Sequence, residues 1–144
     1  MNRRIVRGAL AGALLALVPA ISACSTGEDA PAAEAAETVA FDGSHVSAAS
    51  FAVAAAEDGV TIVDVRTPAE YAEGHLPGAV NIDVSAADFT TQVAALDPEA
   101  DYAVYCRSGN RSRAAIDVMT GEGVENTVGL EGGIGAWTGD VVTD

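Results

Sequence analysis

Lysine is absent from this 144-residue chain, and its seven arginines face 21 acidic residues, giving a net charge of −14. A nucleic-acid ligand needs a basic surface that displaces its counterions, so that class of partner is disfavoured. The acidity itself serves solubility. Aromatic residues make up only 5 % of the chain although 49 % of it is hydrophobic. Alanine supplies much of that fraction, so a compact α/β core has to come from Val, Ile and Leu. No apolar run is long enough for a stable membrane span: Ala9 to Val18 falls well short of the ~20 residues a spanning helix needs. The two cysteines, Cys24 and Cys106, are too few for a disulfide framework and leave at most one pairing open.

The N-terminal residues bear on that pairing. Arg3, Arg4 and Arg7 form a charged leader ahead of the short apolar run, the pattern of a cleaved export signal over residues 1–23. Ile21-Ser22-Ala23-Cys24 then resembles the lipobox of bacterial lipoproteins. That resemblance implies diacylglycerol on the Cys24 sulfur and cleavage that leaves Cys24 as the first mature residue. It also implies export and a lipid anchor on the outer face of the cell membrane, since more than one acyl chain gives stable attachment. Residues 1–23 hold three arginines and no acid, so their removal takes the net charge from −14 to −17. It also leaves Cys106 as the only thiol, with no disulfide partner and no resolving cysteine. Residues 24–37 are small and acidic, cannot bury enough surface to offset their ordering entropy, and form a flexible spacer.

The remaining residues, 38–142, form one domain with a regular alternation. Val39-Ala40-Phe41 predicts a short strand, and Ser47 predicts the cap of a helix running to Glu57 with Phe51 as its anchor. Val60 to Val65 is a near-continuous β-branched run, as expected of a strand buried on both faces. Thr67-Pro68-Ala69-Glu70 is a capping box with proline at the first helical position. A turn over 74–78, a strand over 79–82 and a helix capped by Ser85 and ending near Leu96 come next. A strand over 102–105, a helix over 112–119 ended by Gly121, a strand over 127–130 and a short helix near Trp137 complete the chain. Strands and helices alternating at this spacing predict a parallel five-stranded sheet with helices on both faces, its ligand site beyond the carboxyl ends of the strands.

Cys106 falls at one of those ends. The stretch Tyr105-Cys106-Arg107-Ser108-Gly109-Asn110-Arg111-Ser112-Arg113 places a thiol between a strand end and a helix N-terminus. Backbone N–H groups and the helix dipole make that position favourable for a thiolate. Gly109 lets the loop turn without a side chain in its cradle. Arg111, with Arg107 beside it, supplies positive charge for a small anionic substrate, the alternative being that Arg111 pins the loop to a carboxylate; Arg113, one turn into the helix, reads as a surface charge. His45 reads as a lone surface histidine, His75 as a residue that fixes its turn by hydrogen bonds, and Trp137 as a packing residue.

Four blocks together resemble the rhodanese-like domain. They are Asp64-Val65-Arg66 with Glu70-Tyr71, then Gly74-His75-Leu76-Pro77-Gly78-Ala79-Val80-Asn81-Ile82, the loop Cys106 to Ser112, and Leu130-Glu131-Gly132-Gly133-Ile134-Gly135-Ala136-Trp137. The resemblance implies a sulfurtransferase without metal or organic cofactor. Cys106 would take a sulfane sulfur from a small anionic donor such as thiosulfate, forming a persulfide. It would then pass the sulfur to a thiol, to cyanide in the laboratory assay, or to a protein acceptor. The implied persulfide-binding loop is Arg107, Ser108, Gly109, Asn110, Arg111 and Ser112, with Asp64 and Arg66 as a supporting polar network. Three rivals stand beside it. Cysteine phosphatases and arsenate reductases share a related fold, but a phosphatase cradle needs Cys-x5-Arg and this loop has Cys-x4-Arg. A membrane-tethered sulfur carrier or binding module with little turnover would keep the same loop. Thiol redox work on an exposed thiolate is the third, without a dithiol step.

Overall fold

The computed structural model describes residues 38–143. The expected export signal over 1–23, the lipidation site Cys24 and the spacer to residue 37 lie outside them. Five strands, β1 (His45–Val46), β2 (Thr61–Asp64), β3 (Val80–Asn81), β4 (Tyr102–Tyr105) and β5 (Thr127–Leu130), form one sheet. They pair in the order β1-β5-β4-β2-β3, with every neighbouring pair parallel. Parallel neighbours cannot be joined by tight hairpins and need crossovers. The crossovers carry α1 (Ala48–Ala55), α2 (Pro68–Glu73), α3 (Phe89–Ala94) and α4 (Asn110–Gly121) in turn, and a 3-10 helix (Gly133–Ala136) follows β5.

Side chains alternate across the central strand and divide the core in two. Tyr102, Val104 and Cys106 pack with Val63, Val65, Phe89, Val93, Ala115, Ile116 and Met119 on the α3–α4 face. Ala103 and Tyr105 pack with Phe51, Ala54, Leu76, Val128 and Leu130 on the α1 face. The helices therefore cover both faces, as the alternation predicts. With few aromatics available, Trp137 meets Phe51 edge to face at 6.1 Å between ring centroids, a packing role.

Several elements differ from their predicted bounds. The strand expected over Val39-Ala40-Phe41 is not formed, and Val39 and Phe41 instead pack as partly buried side chains on the α1 face. The strand that pairs with β5 is His45–Val46, after Gly43 has turned the chain at φ 82°. Ser85 caps no helix. Its amide and hydroxyl both bond Asp83 Oδ1, at 2.8 and 2.6 Å, in a local turn. That turn delays α3 until Phe89, and its N-cap Asp88 makes no side-chain cap. Helix α4 starts at Asn110 instead of Ser112 and runs through Gly121. The caps at Ser47 and Thr67 form as read, the latter as a complete capping box with Pro68 in the first turn.

Candidate active site

One place beyond β4, Cys106 continues the alternation of Tyr102 and Val104 and so points under the N-terminus of α4. The residue is wholly buried, which corrects the expectation of an exposed thiolate. Gly109, at φ 95°, turns the chain into α4 and donates its N–H to Cys106 Sγ at 3.1 Å. Ser112, also buried, places its Oγ 3.6 Å from the sulfur and donates to the Gly109 carbonyl at 3.0 Å. Burial alone pushes the thiol pKa up. The Ser112 hydroxyl and the amides of Ser112, Ser108 and Gly109 outweigh it, and the net shift is downward. The loop therefore favours the thiolate, the nucleophilic form.

Two other segments hold this loop. From the turn after β5, Ile134 N–H donates to the Cys106 carbonyl at 2.8 Å and Gly135 N–H to the Arg107 carbonyl at 3.2 Å. Gly133 lies directly behind them at φ 59°, and a Cβ there would sit 2.5 Å from Arg107 C and 2.6 Å from Ser108 N. From the other side, Arg111 Nη1 and Nη2 each bond a different oxygen of Glu70 at 2.7 Å. Glu70 also closes the capping box of α2, so one carboxylate ends a helix and clamps the loop. With Arg111 on both its oxygens, the Glu70 carboxyl is held down at about 2. Of the two readings of Arg111, anion holder or pin on a carboxylate, the geometry matches the second: its fork is committed to Glu70. Arg107 is exposed, with no carboxylate partner among the described residues. Arg113 reaches the Gly109 carbonyl at 3.2 Å and Glu131 at 3.5 Å, and Asn110 opens α4 on the exposed side.

At the end of β2, buried Asp64 accepts the backbone N–H and side chain of Arg66, whose Nη2 also reaches the Gly74 carbonyl at 2.7 Å. The Arg66 guanidinium carbon stands 5.6 Å from the Tyr105 ring centroid. This is a positioning network at the strand ends. Asn81 ties the Asp64 and Arg66 carbonyls together at 3.0 and 2.8 Å. His75 fixes its turn as read, stacked on Tyr71 with ring centroids 3.7 Å apart and its Nδ1 3.0 Å from the Tyr71 carbonyl.

A model of the Rhodanese-like domain matches residues 47–140, well over half of the chain. The chain belongs to the rhodanese-like domain family. A thiosulfate sulfurtransferase, GlpE, of Pseudomonas entomophila is 37 % identical over 87 residues, covering 60 % of this chain and 77 % of that protein. A sulfurtransferase of Allochromatium vinosum is 36 % identical over 78 residues, covering 54 % and 71 %. The crystal structure of a rhodanese-related protein from Thermoplasma volcanium superposes with a TM-score of 0.61 at 32 % identity, covering 69 % of this chain and 98 % of that one. These similarities assign this rhodanese-like domain to the sulfurtransferases.

Three site residues of this rhodanese-like domain have roles that local sequence patterns do not signal. Glu70 was visible as a capping residue, and only the 41-residue separation from Arg111 hid its second bond. Gly133 was visible in the last block, without its place behind the loop. His45 is no lone surface histidine: it is half-buried, with its ring Nε2 2.8 Å from Ser112 Oγ. No local pattern signals it, because β1 is two residues long.

Proposed function

We propose that this sulfurtransferase takes a sulfane sulfur from thiosulfate, holds it as a persulfide on Cys106 and passes it to a thiophilic acceptor. The observation that carries this reading is the thiol whose sulfur receives the Gly109 N–H at the mouth of α4. The Cys106 thiolate attacks the outer sulfur of thiosulfate, a new S–S bond forms, and the bond to the sulfite sulfur breaks with its electron pair on sulfite. Charge is conserved, since thiolate and dianion give an anionic persulfide and dianionic sulfite. The loop amides stabilise that persulfide by charge-assisted hydrogen bonds. Arg107 draws the anion in. Cyanide or a thiol then attacks the outer persulfide sulfur, leaves with it and restores the thiolate, so the covalent sulfur needs no metal or organic cofactor.

The anchor is part of the same proposal. Lipid on Cys24 holds the domain at the outer face of the cell membrane, and the acidic spacer carries it clear of the surface. A wholly buried sulfur also supports turnover by small donors over docking of a large partner at the thiol. Thiosulfate added to the protein should give a mass gain of one sulfur that is lost in Cys106→Ser, and cyanide should then release thiocyanate. If the wild type shows neither and other persulfide donors also fail, the catalytic reading falls. Cys24→Ala should release the protein from membranes; a variant that stays acylated and bound places the anchor elsewhere.

A further inference from the structure

His45 lies on edge strand β1, in register with Gly129 of β5. A Cβ at Gly129 would run into three atoms of the imidazole ring. Glycine weakens a buried strand, and its usual warrant is close approach of another group. Here the space it leaves is a slot for the His45 ring, and the slot aims Nε2 at Ser112 Oγ, 2.8 Å away. Ser112 Oγ in turn stands between the Gly109 carbonyl at 3.0 Å and Cys106 Sγ at 3.6 Å.

Ser112 has one proton to give and three neighbours that could receive it. If Nε2 were bare, its shorter contact would draw the hydroxyl proton and leave none for sulfur. If Nε2 carries the proton, it donates to a serine lone pair, and the hydroxyl proton is free to turn from the Gly109 carbonyl to an ionised sulfur. The charged groups felt by the ring are Arg113 from α4 and Glu131 beyond β5. Burial and Arg113 hold the ring pKa below its ordinary value against the opposing pull of Glu131, so the ring is neutral at pH 7 with a single N–H to place.

We propose that His45 is a positioning residue for Cys106: its Nε2–H donates to Ser112 Oγ and thereby directs the serine proton to the thiolate and the persulfide. This rests on reading Cys106 as the nucleophile, so the test measures the thiol directly. In the full chain carrying Cys24→Ser, Cys106 is the only thiol, and its ultraviolet thiolate absorbance is followed against pH with Cys106→Ser as the blank. His45→Phe, which refills the slot without a donor, should raise the midpoint by about 0.5–1 pH unit. His45→Gln, whose amide N–H can donate at the same place, should restore it. In a Ser112→Ala background, His45→Phe should cause no further change.

A midpoint unmoved by His45→Phe, or a shift of equal size that persists without Ser112, overturns the proposal. A wild-type midpoint at the ordinary cysteine value overturns the nucleophile reading as well, which separates the two failures. Should His45→Phe fail to fold, the wild-type imidazole nitrogen shifts carry the test. A protonated Nε2 is expected, and a bare Nε2 beside a protonated Nδ1 overturns the assignment.

Discussion

Gly133→Ala adds one methyl group at φ 59°, directly behind the loop that holds Cys106. Two costs add. A non-glycine residue in the left-handed region costs roughly 1–2 kcal/mol. The methyl also lies 2.5 Å from Arg107 C and 2.6 Å from Ser108 N, both backbone atoms that no rotamer change can move aside. Relieving that overlap needs a main-chain shift on the order of 1 Å, and overpacking of this kind costs about 1–3 kcal/mol. The shift would carry the Ser108 and Gly109 amides off the sulfur, and a misplacement of that size at a reacting centre costs on the order of 10²-fold in rate. Gly59 supplies the control, since at φ 90° it has nothing within 4 Å of a built Cβ. Gly59→Ala carries the same backbone strain without the collision. Urea unfolding and thiosulfate-to-cyanide turnover should show Gly59→Ala destabilised by about 1–2 kcal/mol at wild-type activity. Gly133→Ala should lose about 2–5 kcal/mol and roughly 10²-fold in kcat. Equal turnover in the two variants would refute the claim that Gly133 positions the loop.

Three further substitutions separate clamp, charge and scaffold. Glu70→Gln removes a carboxylate held at about 2, below its ordinary 4.5. Because the folded value is depressed, the stability it contributes is full above about pH 4.5 and is lost as pH falls through 2; discounted for solvent, it amounts to on the order of 1 kcal/mol. The gap in urea midpoint between wild type and Glu70→Gln should therefore close on acidification, and a gap that widens would contradict the clamp. Arg107→Ala should raise KM for thiosulfate by about three- to tenfold and flatten its salt dependence at unchanged kcat. A loss in kcat alone would assign Arg107 to the chemical step. Arg66→Met leaves Asp64 buried without its charge partner and should cost about 3–5 kcal/mol, more than the Asp64→Asn, Arg66→Met double variant. Equal losses would show that the pair is not coupled.

Whatever was coded locally could be read from the sequence. The β-branched run before Asp64, the capping box at Thr67 and the alternation through Tyr102 to Tyr105 each depend on near neighbours, and the corresponding elements form. Where local signals compete, a contact with another residue decides the outcome. Ser85 has the chemistry of a cap, but Asp83 two residues earlier captures both its amide and its hydroxyl. Val39 and Phe41 have strand chemistry, but the slot beside β5 is taken by His45–Val46 after the turn at Gly43. At the site, Cys106 and its loop were visible because strand end, glycine and helix start are contiguous. The Glu70–Arg111 clamp and the His45–Ser112 contact span 41 and 67 residues. Their partners are chosen by sheet order, which one chain's periodicity does not encode.

Sheet order also bears on which chemistry the cradle suits. Only Cys106 to Gly109 separate β4 from α4, so the loop amides close on a single atom, the sulfur. A phosphate cradle needs a longer loop and a guanidinium turned inward onto oxyanion atoms. Here the arginine comes one position too soon for that spacing, and Glu70 holds both arms of its fork. Because β2 lies next to β4, the helix that follows β2 brings Glu70 against the start of α4. The positive charge that would have faced a tetrahedral anion fixes the loop in place instead. Around the sulfur stand loop amides and one hydroxyl, an environment that suits a monoanionic sulfur and, among the described residues, holds no group positioned to grip three phosphoryl oxygens.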